Sequence, residues 1–175
     1  MKLSYYTNLI KAMPVNNQAF STNRKTWKSL VNGKFLDRLF GNNETIKISR
    51  KELFALAKKP KDLEKFIYFT LFWGYVRGGR GNNIKFILEN FKETGNILKS
   101  INKNRNIQDI SKIPSVKGIG ISTLTKFLFF MKIKYKQYNC LILDEKIMNV
   151  INYQIFEDLK LECEIKRHNS FQKLL

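Results

Sequence analysis

Residues 106–130 read NIQDISKIPSVKGIGISTLTKFLFF. Ile107, Ile110 and Ile113 repeat at helical spacing and predict a helix from Asn106 to Ile113. A turn at Lys117-Gly118-Ile119-Gly120 follows. The strongly apolar run from Ile121 to Met131 then predicts a second helix. Gly118 and Gly120 permit positive φ and leave no side chain over the turn. Backbone N–H groups of residues 118–120, together with the start of the next helix, can then converge on one phosphate. Lys117 adds charge beside them, and the Ser122 and Thr123 hydroxyls can donate. None of these groups reads a base edge, so the motif predicts a grip on backbone rather than on sequence. By itself, a Gly-x-Gly turn is equally at home in an ordinary packing corner between two helices.

Outward from this hairpin, the chain reads as helical. Ser49 to Lys59 opens with a capping serine and carries Glu52 three residues later. Pro60 breaks that helix. Asp62 to Val76 is apolar nearly all round after Lys65, the pattern of a central, buried helix. Asn83 to Lys92, Thr94 to Ile101 and Asp144 to Tyr153 complete the set. Strand signals are thin: the run from Cys140 to Leu143 is short enough to be extended but precedes a helix. The expected fold class is therefore all-α. Of nine glycines, four lie in Gly74–Gly81 and two at Gly118 and Gly120, so most glycine sits in two short loops.

Composition narrows the partner. The chain of 175 residues carries 32 Lys+Arg against 14 Asp+Glu, a formal net charge of +18. An AT-rich genome inflates lysine but does not remove acids. Ile110 to Leu143 holds six lysines and no acid, and the first 43 residues hold only Asp37. A polyanion is the expected partner. A membrane surface is the lesser candidate, because the basic stretches are interleaved with core-like apolar spacing. No apolar run is long enough to span a bilayer, and the N-terminus lacks a secretory h-region. Cys140 and Cys163 lie far apart, cannot make a four-cysteine cluster, and read as reduced thiols of a cytoplasmic protein.

About two dozen residues beyond Gly120 comes LILDEKIMNVI, with Asp144 at the start of a helix. A glycine hairpin followed at this spacing by such an aspartate resembles the helix-hairpin-helix DNA glycosylase superfamily. WGYVRGGRG (Trp73 to Gly81), with GIGISTLTKFLFF and LILDEKI, resembles a bacterial branch related to the oxoguanine glycosylases. The resemblance covers Phe66 to Val150; residues 1–48 and 155–175 add nothing to it. It implies two small helical lobes around a groove. The central lobe with the hairpin would span 66–136, packed with an N-terminal segment, 1–65, and a C-terminal segment, 137–175. It also implies a monomer acting on DNA that contains a modified base. The one cofactor-like group it leaves room for is a monovalent cation on the hairpin carbonyls, and no metal site is expected.

The resemblance gives Asp144 a catalytic role. Breaking an N-glycosidic bond builds positive charge on the sugar, which a carboxylate near C1′ stabilises while it orients water. The field of a helix N-terminus favours the ionised form of a carboxylate placed there. A plain helix cap accounts for Asp144 as well, and the two roles coexist. Many members of the superfamily carry a lysine two residues after the last hairpin glycine, which attacks C1′ as an amine. Here Ser122 holds that position, so the expectation is hydrolysis without strand cleavage. Lys126, one turn further on the same face, is the second-rank amine, with a phosphate-contacting or solvated lysine as the plainer reading. Glu145 is expected to be exposed.

A flipped base needs aromatic walls and polar readers. Trp73, Tyr75 and Arg77 are the expected lining, Arg80 an expected phosphate contact, and core packing is an equal reading of Trp73. His168 has no ligand-type neighbours. Two other functions compete. One is a non-catalytic hairpin module that only grips DNA. The other is a basic RNA- or ribosome-associated protein, in which the pairing of hairpin and Asp144 is coincidence.

Overall fold

The computed structural model describes residues 1–79, 81–109 and 113–158. Among these residues nine helices dominate: α1 (Thr7–Ala12), α2 (Arg24–Trp27), α3 (Gly33–Phe40), α4 (Arg50–Ala57), α5 (Leu63–Gly74), α6 (Asn83–Glu89), α7 (Phe91–Asn104), α8 (Ile121–Phe130) and α9 (Glu145–Asn152). Two small sheets accompany them. β1 (Ala19–Asn23) pairs antiparallel with β2 (Thr45–Ser49), Ala19 opposite Ser49 and Asn23 opposite Thr45. β3 (Asn106–Ile107) pairs parallel with β4 (Lys134–Tyr135), which pairs antiparallel with β5 (Tyr138–Asn139).

The fold is thus mainly helical, and the all-α expectation needs these strands added to it. β1 and β2 are separated in sequence by α2 and α3, so no hairpin turn announces them. The remaining three are two-residue strands, too short to show any alternation. The helix expected over Asn106–Ile113 does not begin where expected. Arg105 takes a left-handed conformation (φ 52°) that ends α7, and Asn106 and Ile107 pair with β4 instead. Ile110 lies outside the described residues, as do Arg80 and His168.

The other expected helices form, and two of them, α4 and α9, open on side-chain caps. Ser49 Oγ accepts the Glu52 N–H at 3.1 Å and starts α4. α5 buries Phe66, Ile67, Phe69, Thr70, Leu71, Phe72 and Trp73, as a helix apolar on every face must. α4, α7, α8 and the β1–β2 pair all contact it. Trp27, wholly buried, lies over Phe72 with ring centroids 4.2 Å apart, and Phe66 meets Phe127 of α8 edge-on at 5.9 Å. Trp27 Nε1 donates to Thr22 Oγ1 at 2.9 Å, and that hydroxyl donates to the Val76 carbonyl at 2.9 Å. The N-terminal third is therefore fastened to the loop that follows α5. Among the described residues, no helix is long and apolar enough to cross a membrane.

Candidate active site

Three pieces of chain converge: the end of α5, the first turns of α8, and the start of α9. The hairpin turn sets α8. Gly118 has φ 92°, and a Cβ built there would lie 2.3 Å from the Asn83 carbonyl oxygen. Only glycine lets the turn seat against the start of α6. The Ile119 N–H closes the turn on the Val116 carbonyl at 3.0 Å. Gly120 is different: its φ is −83°, and a Cβ at this position would meet nothing within 4 Å. It stands at the N-cap of α8 with no side chain over it, so orphan N–H groups of the first turn are left for an anion. Exposed Lys117 stands nearby with Nζ 4.0 Å from the centre of the Phe86 ring.

Lys126 is the unusual residue. It is 7 % exposed, on a face of α8 that also buries Thr123, Phe127 and Phe130. Its Nζ donates to the Ser122 carbonyl at 3.0 Å and to Ser122 Oγ at 2.6 Å. The amine is thereby carried back one turn, to Ser122. Desolvation pulls the ammonium below its ordinary pKa, and the negative charge of Asp144 opposes the shift without reversing it. No contact ion pair joins the two among the described residues. Two acceptors match the two N–H bonds of a neutral amine and leave its lone pair free. Gly74 makes the room: a Cβ there would approach Lys126 Cδ to 3.0 Å and Cε to 3.1 Å.

Asp144 is half-buried and caps α9, its Oδ1 accepting the Ile147 N–H at 2.9 Å. The second carboxylate oxygen, Oδ2, has no hydrogen bond of its own among the described residues. Glu145 beside it is exposed. Thr125 joins the two halves of the site. Its buried Oγ1 accepts the Leu143 N–H at 3.0 Å and donates to the Ser122 carbonyl at 3.3 Å.

Tyr75, half-buried, hydrogen-bonds through its hydroxyl to Thr123 Oγ1 at 2.5 Å, and its ring centre lies 5.8 Å from Lys126 Nζ. The Thr123 hydroxyl is therefore engaged inside the protein. The Ser122 hydroxyl, which accepts from Lys126, keeps its own proton to donate. Trp73 is buried between Phe20 and Phe130, at centroid distances of 5.2 and 5.3 Å, and its Nε1 has no partner among the described residues. Arg77 is exposed.

Sequence reading missed Gly74, Thr125 and Arg50. A helix-terminal glycine and a mid-helix threonine carry no signal until the neighbouring element is in place. Arg50 carries no signal either, since the rings that flank it come from distant parts of the chain.

A family model described as "Putative 8-oxoguanine DNA glycosylase OGG-like protein" matches residues 13–170. Comparison with curated proteins and with solved structures returned no match. Nearly the whole chain is matched, including the N-terminal residues in which no resemblance was legible, and the protein belongs to this OGG-like family.

Proposed function

We propose that the protein is a DNA glycosylase that uses Lys126 as its amine nucleophile and Asp144 as the carboxylate beside the sugar. The observation that carries this reading is the desolvated Lys126 amine, held on Ser122 within the electrostatic reach of Asp144. It moves the expectation away from hydrolysis, which rested on Ser122 standing where a lysine was looked for. A neutral Lys126 attacks C1′ with its lone pair. The glycosidic C–N bond breaks and its electron pair leaves with the base, which takes up the proton shed by the new C1′–Nζ ammonium. The C1′–O4′ bond then opens, O4′ taking up a proton from solvent as the nitrogen lone pair forms an iminium between Nζ and C1′. Loss of the C2′ proton and the 3′ phosphate from that iminium cuts the strand. Asp144 offsets the positive charge that grows on the sugar as the base departs.

In this reading the turn at Lys117–Gly120 holds a backbone phosphate, Tyr75 and Arg77 stand at the mouth of the base site, and Trp73 backs it. Hairpin and Asp144 face one groove between helical lobes, and the enzyme acts as a monomer. The family description points to 8-oxoguanine as the first base to test.

The test is borohydride trapping on an 8-oxoguanine duplex, with base release followed by mass spectrometry. The expected result is a covalent adduct with the wild type and none with Lys126→Gln. Asp144→Asn should bind without releasing base, since asparagine still caps α9. Base release with no adduct would return the chemistry to water activated by Asp144. Binding with no release from any modified duplex would favour the non-catalytic hairpin module.

A further inference from the structure

Arg50 sits half-buried between two aromatic rings with no carboxylate beside it. It is the first residue of α4, where the helix's own field is already positive. Its guanidinium carbon lies 5.5 Å from the ring centre of Trp73 and 5.5 Å from that of Phe129. Its Nε is buried with no hydrogen-bond partner among the described residues. Burial alone lowers its pKa, and no carboxylate charge counters the effect. The paired arginines of this protein differ: Arg24 reaches Asp37 and Arg38 reaches Glu64. Arg50 has stacking faces supplied by both rings and no counter-charge among the described residues.

The surroundings extend the pattern. Phe20, an exposed aromatic, meets the edge of Trp73, and Phe54 meets Phe129 at 5.3 Å. Lys132 Nζ lies 5.6 Å from the Phe54 ring centre. Arg50 and Lys132, set over this run of mostly buried and half-buried rings, offer the positive charge that a nucleic-acid backbone attracts. The run also adjoins the candidate site. Trp73 precedes Gly74, where an added Cβ would meet the Lys126 stem, and Phe129 lies on the helix that carries Lys126.

We propose that Arg50, braced by Trp73 and Phe129, grips a phosphate diester of the DNA strand beside the reacting nucleotide, with Lys132 as a second cation on the same run of rings. This rests on the DNA-glycosylase reading for its ligand, but it is tested by binding alone. A planar guanidinium fixed by aromatic stacking presents its outer N–H groups as a fork, the geometry phosphate oxygens accept. Two flanking rings restrict the side chain, so little rotamer freedom is lost when the phosphate arrives.

The experiment is fluorescence anisotropy over a salt series, using a duplex with a stable tetrahydrofuran abasic-site analogue. Arg50→Met is expected to weaken binding about tenfold and to flatten the slope of log K against log salt by about one. Arg50→Lys should restore the slope while recovering only part of the affinity. Lys103→Met, a charge removed from the last turn of α7, should leave the slope in place. An unchanged slope in Arg50→Met overturns the proposal, and so does an equal loss in Lys103→Met. A slope that Arg50→Lys fails to restore, or Arg50→Met and Arg50→Lys proteins that both lose the wild-type melting transition, makes Arg50 structural and also overturns it. Base release is scored on the same preparations. A flattened slope with no base released from any duplex would uphold the phosphate grip and reject the catalytic reading.

Discussion

The Leu143 N–H donates to Thr125 Oγ1 at 3.0 Å, so the residue before Asp144 is tied to the residue before Lys126. In the proposed reaction, the two groups that act on one sugar are thus fixed in register by a single bond. Thr125→Val keeps the shape and removes the acceptor. Leaving a half-buried N–H unpaired costs about 1–3 kcal/mol. Displacing a reacting group by about an ångström costs about a hundredfold in rate. Urea unfolding and single-turnover base release should both fall, and Thr125→Ser should restore both. Full turnover in the valine variant would deny Thr125 this positioning role.

Lys126→Met should make a more stable and inactive protein. The side chain sits in an environment that disfavours its charge, and methionine fills the same space without charge. A gain on the order of 1 kcal/mol raises Tm by about 2–4 °C in a chain of this size. The sign of the pH dependence follows from the direction of the shift. Below the depressed folded pKa, the wild type carries the full penalty of a buried ammonium. Between that value and the ordinary lysine value of 10.5, the unfolded chain binds the extra proton, and wild-type stability rises with pH. The advantage of Lys126→Met should therefore shrink as pH climbs through this window. Base release by the wild type should rise over the same limb, because the free amine is the nucleophile. A rate that falls with alkalinity would remove Lys126 from that role.

Gly74→Ala separates activity from stability. The new methyl meets only the flexible stem of Lys126, which can move aside. Stability should stay within about 0.5 kcal/mol of wild type, as for a tolerated small substitution. The amine, pushed off Ser122, should lose trapping yield with borohydride. Equal trapping by both proteins would show that the lysine finds its place without that gap.

Much of the helical framework was legible because it obeys local rules. Ser49 with Glu52 announces α4, and the unbroken apolar run after Lys65 announces a buried α5. The pairing of Gly118–Gly120 with Asp144 pointed to two segments that the Leu143–Thr125 bond brings together. Neither β1 nor β2 could be read, since each is five residues long and its partner lies beyond two intervening helices. The position of Lys126 Nζ was also out of reach. Helical spacing puts Ser122 and Lys126 on one face, but only the packing of Gly74 against the stem turns the amine inward. Arg50 shows the same limit, because its aromatic faces come from α5 and α8.

The two hairpin glycines, equivalent in sequence, should behave oppositely. Gly118→Ala forces a Cβ into the Asn83 carbonyl at a positive φ, and such backbone strain alone costs about 1–3 kcal/mol. Gly120→Ala meets open space at a φ any residue adopts, so thermal melting should barely change. Its effect, if the turn holds phosphate, should appear in DNA affinity instead. Comparable melting of the two variants would mean that the seat on α6 is not what fixes the turn.

The all-round burial of α5 has a consequence for how the chain is made. As synthesis proceeds, Trp27 and Phe40 are available to cover one side of this helix as soon as it emerges. The side that Phe127 covers stays bare until α8 has left the ribosome. For that interval the nascent chain carries a wide, greasy helix with nothing to shield it, a surface that favours clumping with its neighbours. Substitutions that weaken the start of α8 should then show up first as lost soluble yield at high expression temperature, before any surviving protein shows a defect in activity.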